Sequence, residues 1–530
     1  MAEPLNRRDL LRLTSGAVVS SAAFTVGVVG APAASAAHDP SAETISEAGA
    51  DRTRPVRQLR AMWIAAVENI DYPSKPGLSA EEQKKEFLAW LDLAQELRLN
   101  AVISQVRPTA DAFWPSDLEP FSHWLTGEQG KDPGYDPLAF QVKAAHARNL
   151  EFHAWFNPFR VAQHDDPSAL VADHPARVHP DWVFAYGKKL YYNPGLPAVR
   201  SFVQDAMMDA VTRYDIDAVH FDDYFYPYPV DGEELPDADA FAKYGAGQSV
   251  EDWRRQNITL LIEEMGTRIK TEKPWVKFGV SPFGIWRNQS SDPRGSATSG
   301  SGSYETVYAD TLDWVKKGLV DYICPQIYWE IGHPAADYAE LTSWWCEQVK
   351  DTNVSLFIGQ AVYKSTSGEF GAAELTEHLT FNRSYPSVDG DAFFSAKDLR
   401  SDTAGAVTAM VKQHYSTPAL VPEMPHLKGT TPSAPVGVQV SAKGDAAVLS
   451  WNRASAKGAT SFAIWRLPAG QADGAALGDG RNLLATVRAD DRGGRQTLTL
   501  TGSAPVRGTF VVTALDRLWN QSAPSRPVRI

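Results

Sequence analysis

The sequence predicts an α/β fold: a (β/α)8 barrel followed by a small all-β sandwich. Three observations predict it. Eight short apolar runs alternate with amphipathic segments between residues 57 and 418. A stretch rich in Pro, Thr and Ser follows at 419–433 and reads as a linker. Beyond it, residues 434–530 carry closely spaced short strands separated by turn residues. Of 530 residues, 43% are hydrophobic and 22% charged, a balance that excludes wholesale disorder. A count of 51 Lys+Arg against 64 Asp+Glu leaves a net charge of −13, which argues against a general nucleic-acid binder. With only two cysteines, Cys324 and Cys346, a disulfide scaffold is excluded.

Taken in order, the first segment is an address rather than a fold. Asn6-Arg7-Arg8-Asp9-Leu10-Leu11-Arg12 sets adjacent arginines ahead of an uncharged run from Leu13 to Ala37, and Ala34-Ser35-Ala36 is a small-residue cleavage pattern. Residues 1–36 therefore read as a twin-arginine signal peptide, and the mature protein is expected to be secreted or cell-wall associated. No cysteine follows the run to accept a lipid. No later stretch reaches the roughly 18 apolar residues that span a bilayer. Residues 37–56 are polar and aperiodic, a linker.

The eight predicted barrel strands are Arg60–Ala66, Asn100–Arg107, Glu151–Asn157, Asp217–Asp223, Lys277–Phe283, Asp321–Tyr328, Ser355–Val362 and Asp391–Ser395. Ser79-Ala80-Glu81-Glu82 is a capping box, and Phe87, Trp90, Leu91, Ala94 and Leu97 behind it keep the spacing of a buried helix face. Asp136-Pro137 supplies an N-cap and a first-turn proline. Further helices are expected around 198–213, 249–270, 306–317 and 336–350. An open doubly wound sheet is the alternative, weakened because no glycine-rich phosphate loop follows the first strand. In the C-terminal part, Val436–Val440, Ala446–Trp451, Ser461–Leu467, Leu483–Val487, Thr497–Leu500 and Thr509–Leu515 read as strands. Trp451 resembles the core tryptophan of fibronectin type III domains and Asp516–Ser525 their closing-strand region, with Phe510 where a tyrosine is common.

Strand side chains alternate faces. That parity turns Gln105 and Arg107 inward on the second predicted strand, and His153, Trp155 and Asn157 on the third. It turns His220 and Asp222 inward on the fourth, and Cys324, Gln326 and Tyr328 on the sixth. Polar groups thus gather near the C-terminal strand ends, where barrel enzymes build their sites. The strongest segment is His220-Phe221-Asp222-Asp223-Tyr224-Phe225-Tyr226-Pro227. Two adjacent carboxylates can raise one another's pKa, so that one holds a proton. Glycoside cleavage needs such an acid, plus a carboxylate nucleophile or the substrate's own N-acetyl oxygen. Both neighbours reach one site only if the strand ends or twists at Asp223. Adjacent acids fit the substrate-assisted variant, in which one orients the acetamide and the other is the acid. Glu330 is the best spare carboxylate, with Glu68 and Asp111 weaker.

Sugar rings stack on aromatic rings. Trp63, Trp155, Trp286 and Trp329 lie at or just beyond predicted strand ends, and Tyr224 follows the aspartates. His174 and His179 lie close in sequence without a zinc-type set, and no G-x-S-x-G elbow occurs. No metal or cofactor is expected. Cys324 reads as a buried free thiol.

Several segments occur in order: Arg60-Ala61-Met62-Trp63-Ile64, Gln105-Val106-Arg107-Pro108, Pro133-Gly134-Tyr135-Asp136-Pro137-Leu138, His153-Ala154-Trp155-Phe156-Asn157-Pro158, the His220 segment, Ser281-Pro282-Phe283-Gly284-Ile285-Trp286-Arg287-Asn288 and Pro325-Gln326-Ile327-Tyr328-Trp329. Together they closely resemble the bacterial glycosyl-hydrolase-like family ten over roughly residues 57–418. The resemblance implies a TIM barrel and an extracytoplasmic glycan hydrolase; the family includes an enzyme that cuts peptide-free strands of peptidoglycan. It implies acidic positions at Asp222 and Asp223, and inner polar or aromatic positions at Arg107, His153, Asn157, Gln326 and Tyr328. Family members are often lipoproteins, and this chain lacks the acceptor cysteine. The expected partner is a polysaccharide substrate, an N-acetylated cell-wall glycan, with no nucleic acid expected. Hydrolysis of a non-acetylated polysaccharide through Glu330, or wall binding without catalysis, are the alternatives. The C-terminal sandwich is expected to space or present the barrel, or to attach it to the wall.

Overall fold

The computed structural model describes residues 54–453, 456–468, 474–490, 494–501 and 506–530. The segment read as a signal peptide, and most of the polar linker after it, lie outside the described residues. Eleven strands precede the C-terminal part: β1 Leu59–Ile64, β2 Ala101–Arg107, β3 Glu151–Phe156, β4 Arg160–Ala162, β5 Val183–Tyr186, β6 Lys189–Tyr192, β7 Ala218–Phe221, β8 Lys277–Val280, β9 Tyr322–Ile323, β10 Ser355–Gln360 and β11 Val388–Phe393. Eight of them close a barrel in the order β1-β11-β10-β9-β8-β7-β3-β2, and every neighbouring pair is parallel. The (β/α)8 fold is therefore present, with one barrel strand for each predicted run.

Seven of the eight barrel strands are shorter than their apolar runs, and β11 instead starts three residues before its run. β9 stops at Ile323, two residues before Pro325, which has no N–H for the ladder. Gln326 resumes contact only as single bridges to Phe283 and Gly359. The expected capping box is formed: Ser79 accepts from the Glu82 N–H, and the helix runs Ala80–Glu96. Asp136 caps Pro137–Ala147 as its Asp-Pro pair requires. The helix expected over 306–317 is two pieces, Ser303–Thr306 and Thr311–Lys317. Tyr308 between them has φ of 56°, which no helix continues through.

Val102, Val106, Phe152, Ala154, Phe156, Val219, Phe221 and Ile323 are all buried in one cluster with the surrounding helices, the outward parity the sequence predicts. Inside the barrel, space is tight. A Cβ on Gly279 of β8 would lie 2.2 Å from the Tyr322 ring, so only glycine lets that ring cross the barrel interior there. One element is unforeseen. The connection after β3 folds into a small antiparallel sheet, β4-β6-β5.

The C-terminal part holds a three-stranded and a four-stranded sheet. Trp451, Phe462, Ile464, Phe510 and Val512 from both sheets share one apolar core. Three features tie this part to the barrel. Within the expected linker, Leu420, Val421, Met424 and Leu427 are buried, and Leu420 bridges to Arg57. Residues 516–520, expected in a closing strand, form a turn after Leu515 in which Asp516 Oδ1 accepts from the Leu518 and Asn520 N–H groups (2.8 and 2.9 Å). That turn carries Trp519, at φ 64°, to the N-terminal end of β3, where its indole N–H donates to Glu151 Oε1 (2.7 Å). Cys324 and Cys346 are both free and buried. Among the described residues, no helix is long and apolar enough to cross a membrane.

Candidate active site

β7 ends at Phe221, so Asp222 and Asp223 leave the strand's alternation and turn to one region at the C-terminal end of the barrel. Both are about 2–3% exposed. Asp222 Oδ2 accepts from the Trp155 indole N–H (3.1 Å) and from Asn157 Nδ2 (2.6 Å), and its Oδ1 accepts from the Tyr224 backbone N–H (2.9 Å). Asp223 Oδ1 accepts from Gln326 Nε2 (2.8 Å), and the Tyr228 hydroxyl donates to its Oδ2. The side chains of Trp155, Asn157 and Gln326 and the backbone N–H of Tyr224, all singled out from the sequence, thus converge on the two carboxylates.

The donors are themselves oriented. Asn157 Oδ1 accepts from Gln105 Nε2 (2.5 Å) and from Arg160 Nη2 (3.0 Å), which turns its amide N–H toward Asp222. Arg107 lies behind Asn157. Its guanidinium pairs with buried Glu119 and donates to the Asn157 and Pro158 carbonyls. Burial would lower the Arg107 pKa, and Glu119 more than reverses this. Arg107 is thus a brace for the loop under Asn157. Gln326 is held by a second bond, to the Ser281 carbonyl (2.6 Å).

A second polar group runs down the barrel interior below the aspartates. The Trp63 indole N–H donates to His220 Nε2 (3.2 Å), which also meets Ser281 Oγ (2.9 Å). His220 Nδ1 meets the Tyr322 hydroxyl (2.9 Å), which meets His153 Nδ1 (3.1 Å); His153 Nε2 meets Glu151 Oε2 (2.9 Å). The polarity follows from the ends. An indole only donates, so His220 Nε2 accepts and its proton sits on Nδ1. A carboxylate only accepts, so His153 carries its proton on Nε2 and takes the Tyr322 O–H at Nδ1. His153 and His220 therefore belong to this column, and Trp63 closes its upper end.

The other residues singled out from the sequence have contacts of their own. Tyr328 is buried edge-on to Tyr363, 6.1 Å between centroids. Trp329 packs over Gly284, whose missing side chain makes the room. Trp286 is 1% exposed, donates to Asp310 Oδ1 (2.9 Å) and stacks on Trp344. Glu330 is exposed. Glu68 accepts from Gln163 (3.0 Å), and Asp111 is buried beside Thr109 and His123. Among the described residues, no three His, Cys, Asp or Glu side chains are grouped to hold a metal ion.

Sequence reasoning missed Tyr228, Ser281, Tyr322, Glu119 and Arg160. Ser281 and Tyr322 share the inner parity of their strands, Tyr322 with Cys324 and Gln326, so a stricter count would have found them. Tyr228 and Glu119 sit in loops without a period.

An ordered aspartate pair at a barrel's C-terminal rim now has a family to compare with. The glycosyl hydrolase-like 10 profile matches residues 58–371. The chain belongs to this family. The chain is 47% identical over 483 residues to glycosyl hydrolase YngK of Bacillus subtilis, covering 89% of this chain and 93% of that protein. It is 40% identical over 362 residues to glycosyl hydrolase DigH of Escherichia coli, covering 63% and 82%. Among solved structures, the glycoside hydrolase domain of PgaB (BpsB) from Bordetella bronchiseptica matches 68% of this chain and 99% of its own. Its TM-score is 0.45 at 12% identity, too distant to transfer any role. As a member of glycosyl hydrolase-like 10, the chain pairs a glycosidase-type barrel with the acidic rim described above.

Proposed function

We propose that the chain is an exported glycoside hydrolase that cleaves an N-acetylated cell-wall glycan, with peptidoglycan strands as the substrate class. The observation that carries this reading is the buried Asp222-Asp223 pair, held at the barrel rim by Trp155, Asn157, Gln326 and Tyr228 in a glycosyl hydrolase-like chain. Adjacent carboxylates suit the substrate-assisted route. Asp223 gives its proton to the glycosidic oxygen as that oxygen's bond to the anomeric carbon breaks. The substrate's acetamide oxygen closes on the anomeric carbon, and Asp222 accepts the acetamide N–H and stabilises the positive charge. Water then opens the cyclic intermediate and returns a proton to Asp223. The roles follow the donors. Asp222 faces three N–H groups, which favour a carboxylate that stays charged. Asp223 accepts from an amide and a phenol, and in this reading it is the acid that serves the leaving oxygen.

In the same reading residues 1–36 are removed on export by the twin-arginine route, and residues 434–530 form a fibronectin type III-like domain that presents the barrel. The test is mass spectrometry of the products from peptide-free N-acetylated strands and from a plain glucan. Shorter fragments are expected from the N-acetylated strands alone. The reading fails if no fragments appear, or if Asp222→Asn and Asp223→Asn cut as fast as wild type. Loss of activity in Glu330→Gln with Asp223→Asn still active would favour the non-acetylated alternative.

A further inference from the structure

The small sheet after β3 brings two cations together beside the rim. Arg160 pairs with Tyr191 across β4 and β6, while Tyr191 pairs with Phe184 and Lys189 with Tyr186 across β6 and β5. Paired and alternate positions share a face. Arg160, Tyr191 and Lys189 therefore lie on one face of this sheet. Arg160 is 4% exposed. Its Nε donates to the Pro108 carbonyl (3.0 Å), its Nη2 to Asn157 Oδ1 (3.0 Å), and its guanidinium lies 4.8 Å from the Tyr224 ring centroid. Among the described residues, Arg160 Nη1 makes no hydrogen bond, and Lys189 has neither a hydrogen bond nor a close ion pair. The Lys189 ammonium is held below its usual range by burial first and Arg160 second, with Glu68 opposing. Glu68 is already engaged by Gln163 (3.0 Å). Arg160 is buried and Lys189 half-buried, and the exposed Glu68 offsets only one of the two charges, so this face keeps a net positive charge that an anion would complete.

We propose that Arg160 and Lys189 form a subsite for a carboxylate carried by a sugar unit next to the cleaved bond. This rests on the reading of Asp222 and Asp223 as glycan-cutting acids, and it names a charge the substrate must carry. Asn157 links the two regions: its Oδ1 accepts from Arg160 and its Nδ2 donates to Asp222 (2.6 Å). A carboxylate on Arg160 therefore sits one amide away from the carboxylate that orients the acetamide. The guanidinium offers a planar donor edge and Lys189 a point charge, the complementary pair for a carboxylate. Strands whose sugar carboxylates are free are preferred over strands on which they are amidated.

The test compares peptide-free N-acetylated wall-glycan strands with the same strands after carbodiimide coupling of their carboxylates to methylamine. Wild type should show a KM about tenfold lower for the free carboxylate, the size of one charge-assisted contact. Lys189→Met should remove most of that difference while leaving kinetics on the amidated strands unchanged, and Lys189→Arg should restore it. Equal KM values for wild type on both strands would overturn the subsite, as would an equal loss on both in Lys189→Met. Calorimetry of Asp223→Asn with the two strands separates this from catalysis. Tighter binding of the free carboxylate, abolished by adding Lys189→Met, supports the subsite, and equal binding overturns it. If wild type cuts neither strand, the hydrolase reading alone falls, and the calorimetry still decides the subsite.

Discussion

Two groups of buried carboxylates, one at each end of the barrel, are held in different ways. At the N-terminal end, Glu151 pairs with Lys277 (2.5 Å), Asp321 with Lys270 (2.5 Å) and His426 (2.8 Å), and Asp217 with His146 (2.8 Å). At the C-terminal end, Asp222 and Asp223 are held by an indole, two amides, a phenol and a backbone N–H, donors that carry no charge. A cation neutralises a carboxylate and keeps it ionised. Neutral donors position it and leave its charge available to a substrate. Under the proposed function, this difference would separate acids that hold the fold from the acids that act on the substrate.

Substitutions at each end should therefore fail differently. Asp222→Asn has the largest expected effect: activity on N-acetylated strands falls at least about 100-fold, with the thermal midpoint little changed. Steady-state rates and a melting curve on the same preparation check it, and a matched loss of both would erase the distinction between the ends.

Lys277→Met is the counterpart at the other end. It leaves Glu151 buried without its cation, which costs about 3–5 kcal/mol. Denaturant unfolding should show that loss, while the fraction still folded keeps its rate within a few-fold.

Acid should undo the N-terminal end first. Burial alone would raise the carboxyl pKa of Glu151, Asp217 and Asp321, but their cations and hydrogen bonds outweigh it and hold all three low. A carboxyl lower in the folded than in the unfolded state adds stability that is complete above the unfolded pKa of about 4. That stability is lost as pH falls through the folded value. Unfolding free energy measured downward from pH 6 should fall below about pH 4, and Lys277→Met should flatten that fall.

Trp519→Phe has the smallest effect. It removes one hydrogen bond to Glu151 and part of a buried ring system, together about 1–2 kcal/mol. A larger loss would mean that the C-terminal turn does more than seal the barrel floor.

How much of this was legible depends on the range of the signal. The eight strands were readable because short apolar runs are a local signal, and alternation along them placed Trp155, Asn157 and Gln326 on the inner face, where they meet Asp222 and Asp223 just past the end of β7. The helix break at Tyr308 was not, since one positive φ leaves no pattern in composition. β4, β5 and β6 are too short to show alternation. Arg107 read only as an inner polar position, because an inner-face arginine on a strand end gives no hint of Glu119, its loop-borne partner. Trp519 was the least accessible of all. Its partner Glu151 is 368 residues away, across a boundary that composition marks as a linker.

The most direct test of the central claim is the rate at which Asp223→Asn releases new chain ends from peptide-free N-acetylated glycan strands, measured beside wild type at equal folded concentration. A loss of at least about 100-fold is predicted for a missing general acid. Cleavage at the wild-type rate would contradict the assignment of the aspartate pair.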